Sequence, residues 1–219
     1  MKGICFIEPL TIATIKGTKV QIRRLVTPQP TYSESVGVIW KDRCYGIGLH
    51  NNPKEAYKNF ADSAKAPFNV GDKLYIKEPY RFAPDVDFPI YKYDYPSGRY
   101  SYPGCDRDDR PVKWKNKLFM PASSARYFIE ITAKRFERLQ DISDADCIKE
   151  GIAEVTKDGE TFKFGLPDKD GLPYGIGWAW TEWCKTPREA YAKLIDQTCG
   201  KGTWESNPYV WVYDYKLVK

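Results

Sequence analysis

Residues 10–24 read LTIATIKGTKVQIRR, a stretch in which a helix pattern ends and a strand pattern begins. Apolar residues recur at helical spacing over Leu10–Lys16, and Gly17 suits the C-terminal end of a short helix. Beyond Gly17, Val20 and Ile22 alternate with polar residues, which is the period of an extended strand. The stretch therefore predicts a helix that leads directly into a strand.

The same mixture of helices and strands continues along the rest of the chain. Strand patterns occur at Val36–Tyr45, which reads as a strand pair, and at Lys73–Glu78, Tyr127–Phe136 and Tyr209–Tyr215. Capping residues mark helix starts at Asn52, Ser143 and Thr186, and glycines suit helix ends at Gly151 and Gly200. Because the elements do not alternate as regular β-α-β units, we predict an α+β fold, a mixed or antiparallel β-barrel with peripheral helices.

A single domain is predicted over residues 1–219, with two insertions near 79–112 and 157–177. The first insertion is rich in Tyr, Pro, Gly and Asp, and it is expected to contain one short hairpin around Ile90–Tyr93. The second is rich in Gly, Asp and Lys, which is typical of a loop or a loose hairpin.

The composition is that of a globular protein with an excess of aromatic residues. Aromatics make up 15% of the 219 residues and include 16 Tyr and 7 Trp. Such residues favour strands, and they also supply stacking surfaces for bases. The net charge of +5 is a mild excess that suits a small nucleic-acid footprint better than a duplex-coating protein.

Cysteine and histidine usage argues against a metal centre and against secretion. The six cysteines include no C-x-x-C pair, and His50 is the only histidine, so no zinc site and no cofactor are expected. Glu8 and Pro9 interrupt the first apolar run, and no stretch reaches membrane-spanning length. We therefore predict reduced thiols, a cytoplasmic location and no membrane partner.

Five motifs in order resemble the ASCH family of the PUA-like superfamily, in the longer form common in phages and prophages. They are Gly17–Arg24, Gly71–Glu78, Phe119–Pro121 with Ser124–Arg126, Asp141–Ser143 with Glu150–Ile152, and Asn207–Val212. The resemblance covers nearly the whole chain and is weakest in the two insertions. It implies a compact PUA-like barrel with a cleft lined by the first, basic motif, and RNA or a modified nucleoside as the ligand.

The resemblance also implies candidate catalytic residues. A bacterial branch of ASCH proteins hydrolyses the amide of N4-acetylcytidine with a Lys, a Thr and a Glu. Its Gly-x-Lys-Thr-x-Thr-x-Arg motif places the lysine at Lys19 and the arginine at Arg24, and the glutamate corresponds to Glu150. The two threonines are replaced by Val20 and Ile22.

The replacement at Ile22 leaves the enzymatic reading open. An isoleucine has no hydroxyl group, so Ile22 cannot act as the nucleophile in covalent catalysis. Water activated by Lys19 and Glu150 could still attack an amide, or Thr18 beside Lys19 could supply a hydroxyl. The alternative role of the Lys19–Glu150 pair is to order the cleft or to contact phosphate.

The remaining candidates are binding residues with structural alternatives. Arginine side chains suit phosphate and base edges, and strand aromatics suit stacking, although both commonly have surface or core roles. The predicted ligand-binding set is Lys19, Arg23, Arg24, Glu78, Arg126 and Tyr75, with Trp114 and Trp211 as further stacking candidates.

Three functions remain open from the sequence. The first is a module that binds RNA or a modified nucleoside. The second is an amidohydrolase acting on N4-acetylcytidine-like nucleosides. The third is a phage accessory or assembly protein with a vestigial cleft. The ligand and the oligomeric state do not follow from the sequence.

Overall fold

The computed structural model describes residues 1–49, 51–82, 88–94, 113–156, 158–160, 162–167 and 177–218. Helices and strands mix within these ranges, so the α+β class is confirmed. The described helices are α1 Glu8–Ile15, α2 Pro53–Ser63, α3 Asp144–Lys149 and α4 Pro187–Cys199. The described strands are β1 Lys2–Cys5, β2 Gln21–Leu25, β3 Thr31–Ser33, β4 Gly37–Trp40, β5 Arg43–Tyr45, β6 Lys73–Lys77, β7 Tyr80–Phe82, β8 Pro89–Tyr91, β9 Phe128–Arg138, β10 Ala153–Thr156, β11 Phe162–Gly165 and β12 Tyr209–Val218.

A five-stranded sheet forms the centre of the protein, in the order β1-β6-β9-β12-β2. The β1 and β6 strands pair in parallel, and the other neighbours pair antiparallel. The two longest strands, β9 and β12, lie side by side, and their register shifts between Asp214 and Tyr215. The β3-β4-β5 strands form a separate antiparallel sheet, as predicted for the Val36–Tyr45 strand pair.

Aromatic side chains fill much of the core beside the central sheet. Phe60 of α2 is fully buried, and its ring lies against Trp40, Phe136 and Trp211 at centroid distances of 5.0–5.8 Å. Edge-to-face and offset pairs of this kind stabilise a core beyond their buried area. Much of the aromatic excess is therefore used in packing, and Trp211, a stacking candidate, is a core residue with 1% exposure.

The predicted helix starts are confirmed by their capping hydrogen bonds. Asn52 accepts from the Glu55 N–H at 3.2 Å. Ser143 and Thr186 cap α3 and α4 in the same way, three residues before the donor. Gly151 follows α3 and Gly200 follows α4, both with positive φ, so the predicted ends also hold.

The described residues form a short hairpin at each insertion. In the first, Pro89–Tyr91 pairs with Tyr80–Phe82, and a 3₁₀ turn begins at Lys92, so the predicted hairpin exists but its strand ends at Tyr91. At the second, β11 lies in the insertion and pairs with β10, which ends just before it. His50, Cys105 and most of both insertions lie outside the described residues. Among the described helices, none combines the length and apolar character that crossing a bilayer requires.

Candidate functional site

A cavity of about 260 Å³ lies between the end of β1, the start of α1, strand β2 and helix α4. Its apolar wall includes Phe6, Leu10, Ile22 and Leu194. Its polar lining contains Lys19, Arg23, Arg24, Lys117, Glu150 and Tyr191. The cavity is thus apolar over most of its wall and carries an excess of positive side chains.

Backbone contacts between α3 and the start of β2 bring Lys19 and Glu150 together. The Val20 N–H donates to the Lys149 carbonyl oxygen at 2.9 Å. Gly151 follows with φ +103°, and a Cβ atom there would lie 2.8 Å from Leu10 Cδ2. A side chain at this position would therefore displace the end of the Leu10 side chain, so glycine permits this close packing.

The Lys19 ammonium group makes hydrogen bonds in three directions. Its Nζ atom lies 2.7 Å from the Gln21 carbonyl oxygen, 2.8 Å from the Glu150 carbonyl oxygen and 2.8 Å from Glu150 Oε2. Burial lowers the pKa of Lys19 from its ordinary value, and the Glu150 carboxylate opposes that shift. An ammonium group has three N–H donors, so this geometry uses all of them and leaves none for a ligand.

Arg23 is a buried cation that several acids hold in place. Its Nη1 atom lies 3.1 Å from Glu150 Oε1, and its Nη2 atom lies 2.7 Å from Glu137 Oε1 and 3.2 Å from Asp146 Oδ2. It also donates to the side-chain oxygen of Gln21. Burial alone would lower the pKa of Arg23, but the surrounding carboxylates outweigh it and raise that pKa. Arg23 is therefore a fixed charge in a paired network.

Arg24 differs from Arg23 because no acid neutralises it within the described residues. Its one hydrogen bond there is a long one, 3.5 Å from Nη2 to the Cys5 carbonyl oxygen. Burial lowers the pKa of Arg24 from its ordinary value. A half-buried guanidinium that lines a cavity without a carboxylate partner can accept an anion or a carbonyl oxygen from a ligand.

Tyr191 also lines the cavity, and its hydroxyl is a buried polar group. The side chain is 1% exposed, and its hydroxyl has no hydrogen-bond partner among the described residues. Burial and the nearby Glu150 carboxylate raise the pKa of Tyr191 well above its ordinary value, so the hydroxyl keeps its proton. On the same helix, the Thr198 hydroxyl donates to the Leu194 carbonyl oxygen at 2.8 Å and is engaged within α4.

The structure brings four predicted site residues together, namely Lys19, Arg23, Arg24 and Glu150. Ile22 also lines the cavity, so an apolar side chain stands at this position of the predicted site. Thr18 faces a different pocket, and its hydroxyl donates to the Ala13 carbonyl oxygen at 3.1 Å. Thr18 therefore does not supply a hydroxyl to this cavity.

Glu78, Arg126 and Tyr75 do not line the cavity. Arg126 makes bidentate contacts with the fully buried Glu78, at 2.8 and 2.9 Å, and with Asp94, at 2.7 and 2.8 Å. Its guanidinium also lies 3.9 Å from the ring centroid of Tyr91. Tyr75 is buried and donates to the Met120 carbonyl oxygen at 3.0 Å. The predicted ligand-binding set thus divides between the cavity and a separate, internally paired cluster.

Sequence reasoning missed Tyr191, Lys117 and the polar partners of Arg23. A signal for Tyr191 exists, because Tyr191, Leu194, Ile195 and Thr198 follow helical spacing and share one face of α4. That pattern alone predicts a core face, and it does not indicate that the hydroxyl lacks a partner. Lys117 lies beside the first insertion, where no pattern points to the cavity.

The described residues contain no group of three or more His, Cys, Asp or Glu side chains that could hold a metal ion. Comparisons of the chain with protein-family models, with curated proteins and with solved structures found no match.

Proposed function

We propose that this chain is a PUA-like domain of the ASCH type that binds one nucleotide unit, from RNA or as a free modified nucleotide, in the cavity beside Arg24. The observation that carries the proposal is the Arg24 guanidinium, which lines the cavity and has no carboxylate partner among the described residues. A cation left without an acid in a partly desolvated site is suited to a phosphate or a carbonyl oxygen.

The size and lining of the cavity support a ligand of one nucleotide. About 260 Å³ lies just below the range of roughly 300–1,000 Å³ that is typical of drug-sized ligands. Phe6 and Tyr191 are the aromatic residues that line the cavity, and Arg24 and Lys117 are cationic lining residues. Flat apolar walls with cationic groups beside them fit a base joined to a phosphate.

The geometry of the sheet supports the PUA-like barrel that belongs to this proposal. Strands β1 and β2 are the two edges of the five-stranded sheet. The hydrogen bond from Arg24 on β2 to the Cys5 carbonyl oxygen on β1 joins these edges across the cavity. Edges that approach each other are expected of a sheet that curls towards closure.

Binding is better supported than amide hydrolysis. All three N–H donors of Lys19 are used, and both carboxylate oxygens of Glu150 accept hydrogen bonds, from Lys19 and Arg23. Lys19 therefore has no N–H left for a ligand, Glu150 is held in two charge-assisted hydrogen bonds, and Ile22 offers no nucleophile. N4-acetylcytidine incubated with the protein is therefore expected to remain acetylated when checked by chromatography.

The test compares two arginines. Arg24→Gln removes the cation in the cavity, and Arg43→Gln makes the same change at an exposed site on β5. Calorimetric titration with ribonucleoside 5′-monophosphates and with short single-stranded RNA should show at least about a tenfold weaker affinity for Arg24→Gln, since a charge-assisted hydrogen bond contributes about 1.5–3 kcal/mol. Arg43→Gln should change the affinity less than about twofold.

Either of two results would contradict the proposal. One is the absence of wild-type binding to any of these nucleotides or RNAs. The other is an equal loss of affinity in both variants, which would indicate a general electrostatic attraction that does not involve the cavity.

A further inference from the structure

Lys117 is, beside Arg24, a second cation of the cavity that forms no ion pair with a carboxylate in the described part of the chain. Among the described residues, four basic side chains and one carboxylate line the cavity. That carboxylate, Glu150, is hydrogen-bonded through one oxygen to Lys19 and through the other to Arg23. Its charge also acts on Arg24, but no ion pair joins the two. Arg24 and Lys117 are therefore the lining cations that a ligand can neutralise.

Both cations have N–H groups left for a ligand. Arg24 makes its hydrogen bond within the described residues through Nη2 alone. No nitrogen of Arg24 is both fully buried and unpaired, so Nε and Nη1 retain accessible surface. The half-buried Lys117 donates to the Phe6 carbonyl oxygen. An ammonium group has three N–H donors, so two remain at Lys117.

The two cationic groups are anchored one residue apart on the same segment of the cavity wall. Arg24 lies against the Cys5 carbonyl oxygen, and Lys117 against that of Phe6. Cys5 and Phe6 both line the cavity, as the two cations do. Burial lowers the pKa of Lys117, as it lowers that of Arg24, so an anion beside them would offset the cost of burying their charges.

We propose that the cavity selects a terminal phosphomonoester, whose phosphate Arg24 and Lys117 bind together. This inference rests on the proposed nucleotide-binding function, and it names the class of ligand as a free mononucleotide or a phosphorylated RNA end. A phosphomonoester carries a charge of about −1.5 to −2 at pH 7, whereas an internal phosphodiester carries about −1. Two cations without an acid partner match the monoester, and a diester would leave part of their charge uncompensated in a partly buried place.

The size of the cavity favours the same class of ligand. Its volume of about 260 Å³ suits one nucleotide unit. An internal unit needs room for the strand to leave in two directions, whereas a terminal unit needs one exit and a free mononucleotide needs none. Charge and volume therefore both favour a ligand that ends in its phosphate.

The experiment compares a monoester and a diester of the same nucleoside. Adenosine 5′-monophosphate and its phosphate methyl ester share base and sugar, but the methyl ester has a single negative charge. In calorimetric titration at about pH 7.5, wild type should bind the monoester about fivefold to tenfold more tightly than the diester. Lys117→Gln should reduce this preference to within about twofold, and Lys117→Arg, which keeps the charge, should retain it. Lys113→Gln changes an exposed lysine of the same segment and should leave both affinities within about twofold of wild type.

Trinucleotides distinguish the two sources of the phosphate. If RNA ends enter the cavity, a trinucleotide phosphorylated at one end should bind about as tightly as the mononucleotide, and the unphosphorylated trinucleotide about fivefold to tenfold more weakly. Tight binding of the mononucleotide alone would identify the free nucleotide as the ligand.

Equal wild-type affinities for the monoester and the diester would overturn the inference and leave the proposed function standing. A full preference in Lys117→Gln, or an equal loss of affinity in Lys113→Gln, would also overturn it. Partial unfolding of a variant would lower the bound fraction for both ligands alike, so the ratio of the two affinities still tests the role of Lys117. Failure of the wild type to bind any nucleotide would instead overturn the proposed function itself.

Discussion

At the scale of single residues, Asp146 helps to hold the cavity residue Arg23 in place through paired charges. Its carboxylate lies 3.2 Å from Arg23 Nη2 and also accepts from Arg135. Lys149 lies 3.2 Å from its other oxygen. Burial opposes ionisation of Asp146, but the Lys149 hydrogen bond and the charges of Arg135 and Arg23 outweigh it and hold its pKa below the ordinary value.

This lowered pKa predicts a loss of stability in acid. The folded protein binds a proton at Asp146 less readily than the unfolded chain, whose aspartates titrate near pH 3.9. The contribution of Asp146 is therefore complete above about pH 5 and is lost as the pH falls through 3.9 and towards the lower folded pKa. In urea unfolding between pH 6 and 3, Asp146→Asn should flatten the fall in the free energy of unfolding.

The control for this prediction is Asp62→Asn, the same change at an exposed position on α2. It should leave the pH dependence of the unfolding free energy as in wild type. A slope for Asp146→Asn as steep as that of wild type would show that the contacts of Asp146 with Arg23, Arg135 and Lys149 do not link its protonation to folding.

At the scale of elements, the close packing at the end of α3 helps to position the residues of the cavity. Gly151 combines a φ of +103° with close packing, since a Cβ there would lie 2.8 Å from Leu10 Cδ2 and 3.4 Å from Lys19 Cδ. Gly202 has a φ of +84°, and a Cβ atom at that position would have no neighbour within 4 Å. A side chain at Gly151 would thus meet both backbone strain and steric crowding, whereas a side chain at Gly202 would meet backbone strain alone.

Gly151→Ala should therefore destabilise the protein more than Gly202→Ala. The left-handed conformation costs a side-chain-bearing residue about 1–2 kcal/mol at either position. At Gly151, the added Cβ atom must also displace the end of the Leu10 side chain, which adds about 1 kcal/mol. The free energy of unfolding in urea measures both effects, and equal losses in the two variants would contradict the tight packing of α3 against α1.

Individual elements were predictable because their signals are local. The Asn52, Ser143 and Thr186 caps each bond a backbone N–H three residues ahead, so a few letters of sequence contain both partners. The pairing of Arg126 with Glu78 spans 48 residues and depends on how β6 and β9 meet. The prediction from sequence assigned these two residues to the cleft. It missed their pairing with each other, because the order of residues does not show contacts over such a distance along the chain.

At the scale of the whole molecule, the distribution of charge limits how nucleic acid can bind. The chain has 34 basic and 29 acidic residues, and several arginines are neutralised internally, among them Arg23, Arg126 and Arg135. Arg24 and Lys117 are the cations that line the cavity without a carboxylate partner in the described ranges. Binding through this cavity therefore engages one or two phosphates, far fewer than an extended groove would.

That small footprint predicts a shallow salt dependence. For single-stranded nucleic acid, the slope of log K against log salt concentration is about −0.7 per phosphate contacted, so wild type should give a slope of roughly −0.7 to −1.4. Removal of one phosphate contact in Arg24→Gln should make the slope shallower by about 0.7, whereas Arg43→Gln should keep the wild-type value.

Fluorescence titration of a labelled trinucleotide and a labelled dodecamer at several salt concentrations measures both the slope and the effect of length. Similar affinities for the two RNAs are expected, because a cavity of about 260 Å³ accepts one nucleotide unit whatever the strand length. A slope steeper than about −3, or an affinity that rises continuously with length, would mean that RNA follows a surface outside the cavity, and Arg24 would then be one contact among many.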